Sequence, residues 1–160
     1  MAEEVCRRRA RELLAHLGVT EPPVDPEQVA GSLGLAVAVI SRGRGFSGRL
    51  LKEQMLIEVE GTNHPHRRRF TVAHETGHYV LGHSNVFCNF DDRDISDPRR
   101  ANEWQANVFA SELLMPEPWV KDRWSGQEDF NDLAKQFVVS PEAMFRCLDD
   151  LGLLDLERRI

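Results

Sequence analysis

Cysteine is scarce in this sequence: 160 residues contain three, Cys6, Cys88 and Cys147. Widely spaced and odd in number, they supply neither a disulfide framework nor a cysteine zinc cluster, and plain reduced thiols are the expectation. Long apolar runs are missing too. No stretch approaches the roughly 20 residues that span a bilayer, and the opening MAEEVCRRRARELL is charged throughout, without the apolar core of a secretion signal. A cytoplasmic location without membrane association is therefore expected. Basic excess is also absent. The 20 basic and 26 acidic side chains give a net charge of -6, which argues against nucleic acid as a direct partner, because phosphate binding needs a basic surface. No internal repeat or low-complexity tract occurs.

What is present is enough apolar material, 41% of residues, for one real core but not for two full-sized domains. Val5, Leu13, Leu14 and Leu17 recur at helical spacing before Gly18, which suits a left-handed cap. Asp25 and Pro26 open a second helix that should stop at Gly34. Three short apolar segments follow, around Val37 and Val39, over Phe46 to Leu51 and over Met55 to Val59, and predict a small antiparallel sheet. FTVAHETGHYVLGH is apolar on most sides, as a buried helix should be. Asp97 and Pro98 start another helix, with Trp104, Val108 and Leu113 as its apolar stripe and Pro116 and Pro118 as its end. LAKQFVVSPEAMFRCLDDLGLL reads as helix, turn, helix, with Ser140 as N-cap and Pro141 in the first turn. Residues 1–125 are thus expected to form the main α+β domain and residues 126–160 a helical extension.

The chemistry lies in His74-Glu75-Thr76-Gly77-His78. Histidines four apart on a helix share a face one turn apart, so both rings reach one metal ion. Glu75, about 100° around the helix, is placed to touch a water rather than the metal. A catalytic zinc site takes three protein ligands and keeps a position for water. Glu103, followed on its own helix by Ala106, Asn107 and Ala110, is the candidate third ligand, the alanines allowing close helix approach. Asn107 is placed to accept the proton of a ligand histidine's other nitrogen. The expected chemistry is metal-assisted hydrolysis with Glu75 as general base. Histidine and carboxylate ligands favour zinc but also accept manganese or another divalent ion.

Tyr79, His83, His64 and His66 are chemically able to stabilise an oxyanion, and spacing favours none. His83, five residues past His78, is turned off the shared face of a continuing helix, which suits a surface or supporting position rather than a ligand. Cys88 reads as a loop thiol. Arg67, Arg68 and Arg69 read as a solvated face or, functionally, as groups that dock an acidic partner or order the start of the catalytic helix. The segment from Gly126 to Ile160 carries 8 acidic and 4 basic residues, so it suits packing or partner recognition better than DNA.

RRRFTVAHETGHYVLGH, EWQANVFASELLMP and the upstream GFSGRL together resemble the ImmA/IrrE family of metallopeptidases over nearly the whole chain. The resemblance implies a zincin-like helical core, zinc held by His74, His78 and Glu103, and catalysis by Glu75. It further implies cleavage of an XRE-type helix-turn-helix repressor encoded nearby, relieving repression in stress response or in mobile-element and phage control in bacteria. The C-terminal LAKQFVVSPEAM is similar to the family's helical extension, although Val138 stands where a helix-turn-helix turn often has glycine. The additional sensor-like domain of radiation-response members is not expected in this chain. Two other functions compete with repressor cleavage: a non-proteolytic anti-repressor with a structural metal, and a general peptidase. The intact Glu75 argues against the first, since a structural site needs no general base. The missing secretion signal argues against the second.

Overall fold

The computed structural model describes residues 3–84 and 98–154. Helix α1 (Glu3–His16) buries Cys6, Ala10 and Leu14, spaced four apart along one face. Leu13 and Leu17 flank that stripe, and Gly18 turns left-handed after it at φ 69°. Asp25 caps α2 (Pro26–Ser32), accepting the N–H groups of Glu27 and Gln28.

Strands β1 (Ala36–Ile40), β2 (Gly48–Leu51) and β3 (Leu56–Glu60) form one sheet in the order β1-β3-β2. The sheet is mixed rather than wholly antiparallel. β2 and β3 pair antiparallel with Leu50 opposite Ile57, but β1 and β3 pair parallel with Val37 opposite Ile57. The reason lies in the connections. The short 3-10 turn Lys52–Gln54, with Met55 left-handed, folds β3 straight back on β2. The longer segment 41–47 carries the chain past the central position, which β3 then fills alongside β1. Apolar alternation reports which face is buried, not which strand is the neighbour.

Helix α3 (Pro65–Val80) runs beneath the sheet and is buried at every position from Thr71 to His78. Val72 joins Ala30, Leu35, Ile57 and Val59 in a small core under the strands. Ala73 belongs instead to a larger core built by α1, α4 (Pro98–Leu114), α5 (Glu117–Arg123), α6 (Phe130–Phe137) and α7 (Pro141–Asp150). Phe109, Leu113, Phe137, Met144 and Leu148 are fully buried there, each contributing about 1.5–3 kcal/mol of apolar transfer. The α6–α7 pair therefore shares its core with α1 and α4. Ser140 caps α7 through Ala143 N–H, and Val138 takes the left-handed conformation at φ 54° that a glycine would adopt more easily.

The stripe on α4 differs from the one its large side chains predict. Trp104 is 47% exposed, whereas Ala106, Phe109, Ala110 and Leu113 are buried. The small residues face α3 because contact at close range needs them. The arginine run is likewise more than a solvated face. Arg69 donates to the carbonyls of Val138 (3.1 Å) and Val24 (2.6 Å), and Arg67 donates to Ser47 Oγ (2.8 Å). Arg69 thus ties α3 to the α6–α7 turn and to the segment before α2. The segment containing Cys88 and Asp97 lies outside the described residues.

Two buried carboxylates pin the frame. Glu112 on α4 accepts from Arg7 (2.9 Å) and Arg11 (3.0 Å) of α1 and from the N–H of Glu117 (3.0 Å). Glu112→Ala should destabilise the fold by about 2 kcal/mol in urea unfolding. That is below the 3–5 kcal/mol of a fully buried pair, because both arginines are part-exposed and can re-solvate. Glu60 accepts the N–H groups of Arg42, Gly43 and Thr62 and the Thr62 hydroxyl. These bonds, that from Arg42 foremost, hold its pKa below the ordinary 4.5. A carboxyl depressed on folding stabilises above its unfolded pKa, and that contribution is lost as pH falls through the folded value. Unfolding measured against pH should show this acid slope, and Glu60→Gln should flatten it; an unchanged slope would remove Glu60 as its source.

Candidate active site

Helix α3 sets His74 and His78 one turn apart, and their Nε2 atoms lie 3.1 Å from each other. Helix α4 crosses at close range and brings Glu103 to both rings: Oε2 is 3.0 Å from His74 Nε2, and Oε1 is 3.0 Å from His78 Nε2. Gly77 permits the crossing. A Cβ there would sit 2.9 Å from Phe109 Cδ1 and 3.3 Å from the Ala106 carbonyl oxygen. Glycine in mid-helix is unfavourable by about 1 kcal/mol relative to alanine, and here the closeness of the two helices is what offsets it.

The outer ring nitrogens are occupied. His74 Nδ1 is 2.8 Å from Asn107 Oδ1, so this amide accepts the ring proton as the sequence suggests. His78 Nδ1 is 2.9 Å from His83 Nδ1, and His83 Nε2 is 2.9 Å from Gln105 Oε1. Sequence spacing on a continuing helix turned His83 away, but the helix does not continue. Gly82 is left-handed at φ 73°, the N–H of His83 reaches the His78 carbonyl (3.0 Å), and the N–H of Gly82 reaches that of Tyr79 (3.2 Å). This Schellman turn folds His83 back under His78. The signal was in the sequence, a glycine immediately before a histidine at the end of the apolar pattern. Gln105 carried none.

Burial sets the electrostatics. Glu75 is 4% exposed, and loss of solvent raises its pKa against the opposing pull of His74 and His78. The Leu50 N–H also opposes that rise. For His74, burial acts downward, but the hydrogen bond to Glu103 and the charges of Glu75 and Glu103 prevail and raise its pKa. His83 is lowered, chiefly by burial. Glu60 and Glu112 excepted, the buried carboxylates and histidines among the described residues thus concentrate around one point of the α3–α4 crossing.

Two imidazole nitrogens and a carboxylate, all within 4.8 Å of one another, are bases that repel when bare. A divalent cation satisfies all of them, and the donor set matches catalytic metal sites that keep one position for water. A cleft of about 970 Å³ opens beside them, lined by Gly48, Glu75, Phe70, Trp104 and, farther along, Ala143 and Arg146 of α7. Gly48 is required there, since a Cβ would lie 2.4 Å from Thr71 Cγ2 and 2.8 Å from the Glu58 carbonyl oxygen. β2 consequently rests directly on α3.

A model of the IrrE N-terminal-like domain, a peptidase family, matches residues 38–148. The chain belongs to this family. It is 30% identical over 119 residues to the radiation response metalloprotease IrrE of Deinococcus deserti, covering 72% of this chain and 42% of that protein. It is 29% identical over 119 residues to that of Deinococcus radiodurans, covering 72% and 36%. The chain thus spans about two-fifths of the length of these relatives. A Mycobacterium tuberculosis transcriptional regulator has the same fold over 91% of this chain and 46% of its own, with a TM-score of 0.68 and 16% identity.

The family resemblance read from the motifs therefore holds, and the structure brings His74, His78 and Glu103 together with Glu75 alongside. His64 and His66 line the same cleft, and His64 also caps α3 through His66 N–H. Tyr79 packs instead against the core under the sheet. Cys6 is fully buried, and burial pushes the Cys147 thiol up to about 12, which disfavours its thiolate form. No helix among the described residues is long and apolar enough to cross a membrane.

Gly77→Ala tests the helix crossing. Alanine gains about 1 kcal/mol in helix propensity, but overpacking against the buried Phe109 ring costs about 1–3 kcal/mol. The variant should therefore be less stable than the wild type in denaturant unfolding. Equal or greater stability would mean that the crossing is not tight at Gly77.

Proposed function

We propose that this chain is a zinc-dependent endopeptidase in which His74, His78 and Glu103 hold the ion and Glu75 is the general base. The observation that carries the reading is the convergence of three metal-type donors from two helices, with a buried, proton-avid carboxyl on the same turn as His74. A divalent ion bound there supplies Lewis acidity, polarising the scissile carbonyl and acidifying the attacking water. Glu75 takes a proton from that water as its oxygen bonds to the carbonyl carbon. When the C–N bond breaks, Glu75 returns the proton to the leaving amine. Burial raises its pKa above that of an exposed glutamate, which favours the proton-accepting half of this exchange. Zinc is the preferred ion on the donor chemistry, with manganese the alternative.

The substrate is an extended polypeptide segment. Glu60 N–H bonds to Ser47 O at 2.9 Å, so by strand alternation the backbone groups of Gly48 and Leu50 face away from β3, the Leu50 N–H toward Glu75. β3 is central and β2 is at the edge, which favours β2 over Met55 to Val59 as the place where a peptide adds as a strand. Residues 126–160 act as a helical extension of a 1–125 peptidase domain, α7 supplying the far wall of the cleft. The net charge of -6 fits a protein partner rather than DNA. The family resemblance makes an XRE-type helix-turn-helix repressor, encoded nearby, the preferred substrate, its cleavage relieving repression in the bacterial cytoplasm.

Incubation of the purified chain with zinc and such repressors, followed by mass spectrometry of the products, tests the substrate. A single cleavage is expected, and Glu75→Gln should slow it by at least about 10²-fold while keeping the metal. Derepression undiminished in Glu75→Gln would replace proteolysis with partner sequestration. Metal content should be one equivalent in the wild type and be lost in both His78→Ala and Glu103→Ala; retention in Glu103→Ala would sink the ligand assignment.

A further inference from the structure

A histidine that gives the Nε2 lone pair to a metal must carry its proton on Nδ1, and that proton needs an acceptor. His74 has one directly in Asn107 Oδ1, at 2.8 Å. For His78 the group at Nδ1, among the described residues, is another imidazole nitrogen, His83 Nδ1, at 2.9 Å. A neutral imidazole has one donor and one acceptor. For His83 to accept from His78, its own proton must sit on Nε2, which lies 2.9 Å from Gln105 Oε1. An amide oxygen accepts and cannot donate. With the Gln105 amide oxygen toward His83, both hydrogen bonds run in one direction: Gln105 orders His83, and His83 orders His78.

On the metal-site reading above, we propose that Gln105 and His83 are positioning residues, a two-step relay that fixes the tautomer in which His78 presents its Nε2 lone pair to the ion. Both are sequestered from solvent, His83 at 6% and Gln105 at 7% exposed, so water cannot readily substitute for a lost partner. The Schellman turn at Gly82 and the rigid α4 hold the two ends of the relay in place. Helix α4 therefore contributes one carboxylate toward the ion and two amide oxygens, Asn107 and Gln105, that orient the two histidines.

The test is zinc affinity of the purified full chain, by competition with a chromophoric chelator, together with imidazole tautomers from long-range nitrogen–proton NMR. Gln105→Leu should lose about 10–100-fold in affinity, the usual effect of removing a partner behind a ligand histidine. Gln105→Glu, which keeps an acceptor, should bind as tightly as the wild type. His83→Phe should lose as much as Gln105→Leu, and the double variant no more than either, because the residues act in series. In the zinc-loaded wild type the His83 proton should appear on Nε2 and the His78 proton on Nδ1. Wild-type affinity in a folded Gln105→Leu, additive losses in the double variant, or the His83 proton on Nδ1 would overturn the relay while leaving the metal site standing. Failure of the wild type to bind zinc would overturn the metal site, and the relay with it.

Discussion

Everything at the candidate site hangs on how closely α3 and α4 approach. At the crossing, Gly77 meets the Ala106 backbone and the Phe109 ring, with no room for a single added carbon at normal contact distance. That proximity, rather than any one hydrogen bond, lets a glutamate side chain of ordinary length touch two histidines on the neighbouring helix at 3.0 Å. A wider crossing would leave His74 and His78 as two buried bases without a third partner, an expensive arrangement in a dry interior. The surrounding core keeps the helices in place. α4 is clamped on its far side to α1 by the Glu112 pair with Arg7 and Arg11.

The polar cluster at the crossing is nearly self-contained. Each buried histidine uses its outer nitrogen on a specific acceptor, directly for His74 and through His83 for His78. Such a network leaves the inward nitrogens, 3.0–3.1 Å from each other and from Glu103, to be satisfied by a shared proton or by a cation. Glu75 stands apart from this set. Its carboxyl is buried beside the edge strand, and desolvation makes it a better proton acceptor than a surface glutamate. On the proposed reading, environment gives two glutamates on neighbouring helices different tasks, in the way that burial divides paired carboxylates in hydrolases.

The reach of the site beyond its centre depends on elements distant in sequence. β2 can lie against α3 because Gly48 has no side chain, and α7 forms the far wall because Arg69 fastens the α6–α7 turn to α3. The left-handed Val138 at that turn is tolerated within a core that holds Phe137 and Val139 on either side. α7 therefore contributes Ala143 and Arg146 to the wall of the cleft.

Much of this was legible in the chain. Cap chemistry at Asp25 and Ser140 located helix starts because a side-chain oxygen satisfying a bare N–H is a local event. The histidine spacing located the metal-type site because one helical turn fixes which side chains share a face. The alanines after Glu103 announced a close crossing. What failed had a common cause. The parallel pairing of β1 with β3, the exposure of Trp104 and the return of His83 toward His78 depend on which segments become neighbours, and residue patterns report burial and local geometry, not partners. The sequence by itself determined the helices other than α5, the caps at Asp25 and Ser140 and the four side chains of the chemical motif, since these follow from periodicity and short-range hydrogen bonding. Tertiary structure alone decided the strand order, the acceptor behind His78 and the wall of the cleft, since each requires groups far apart in the chain to meet at contact distance.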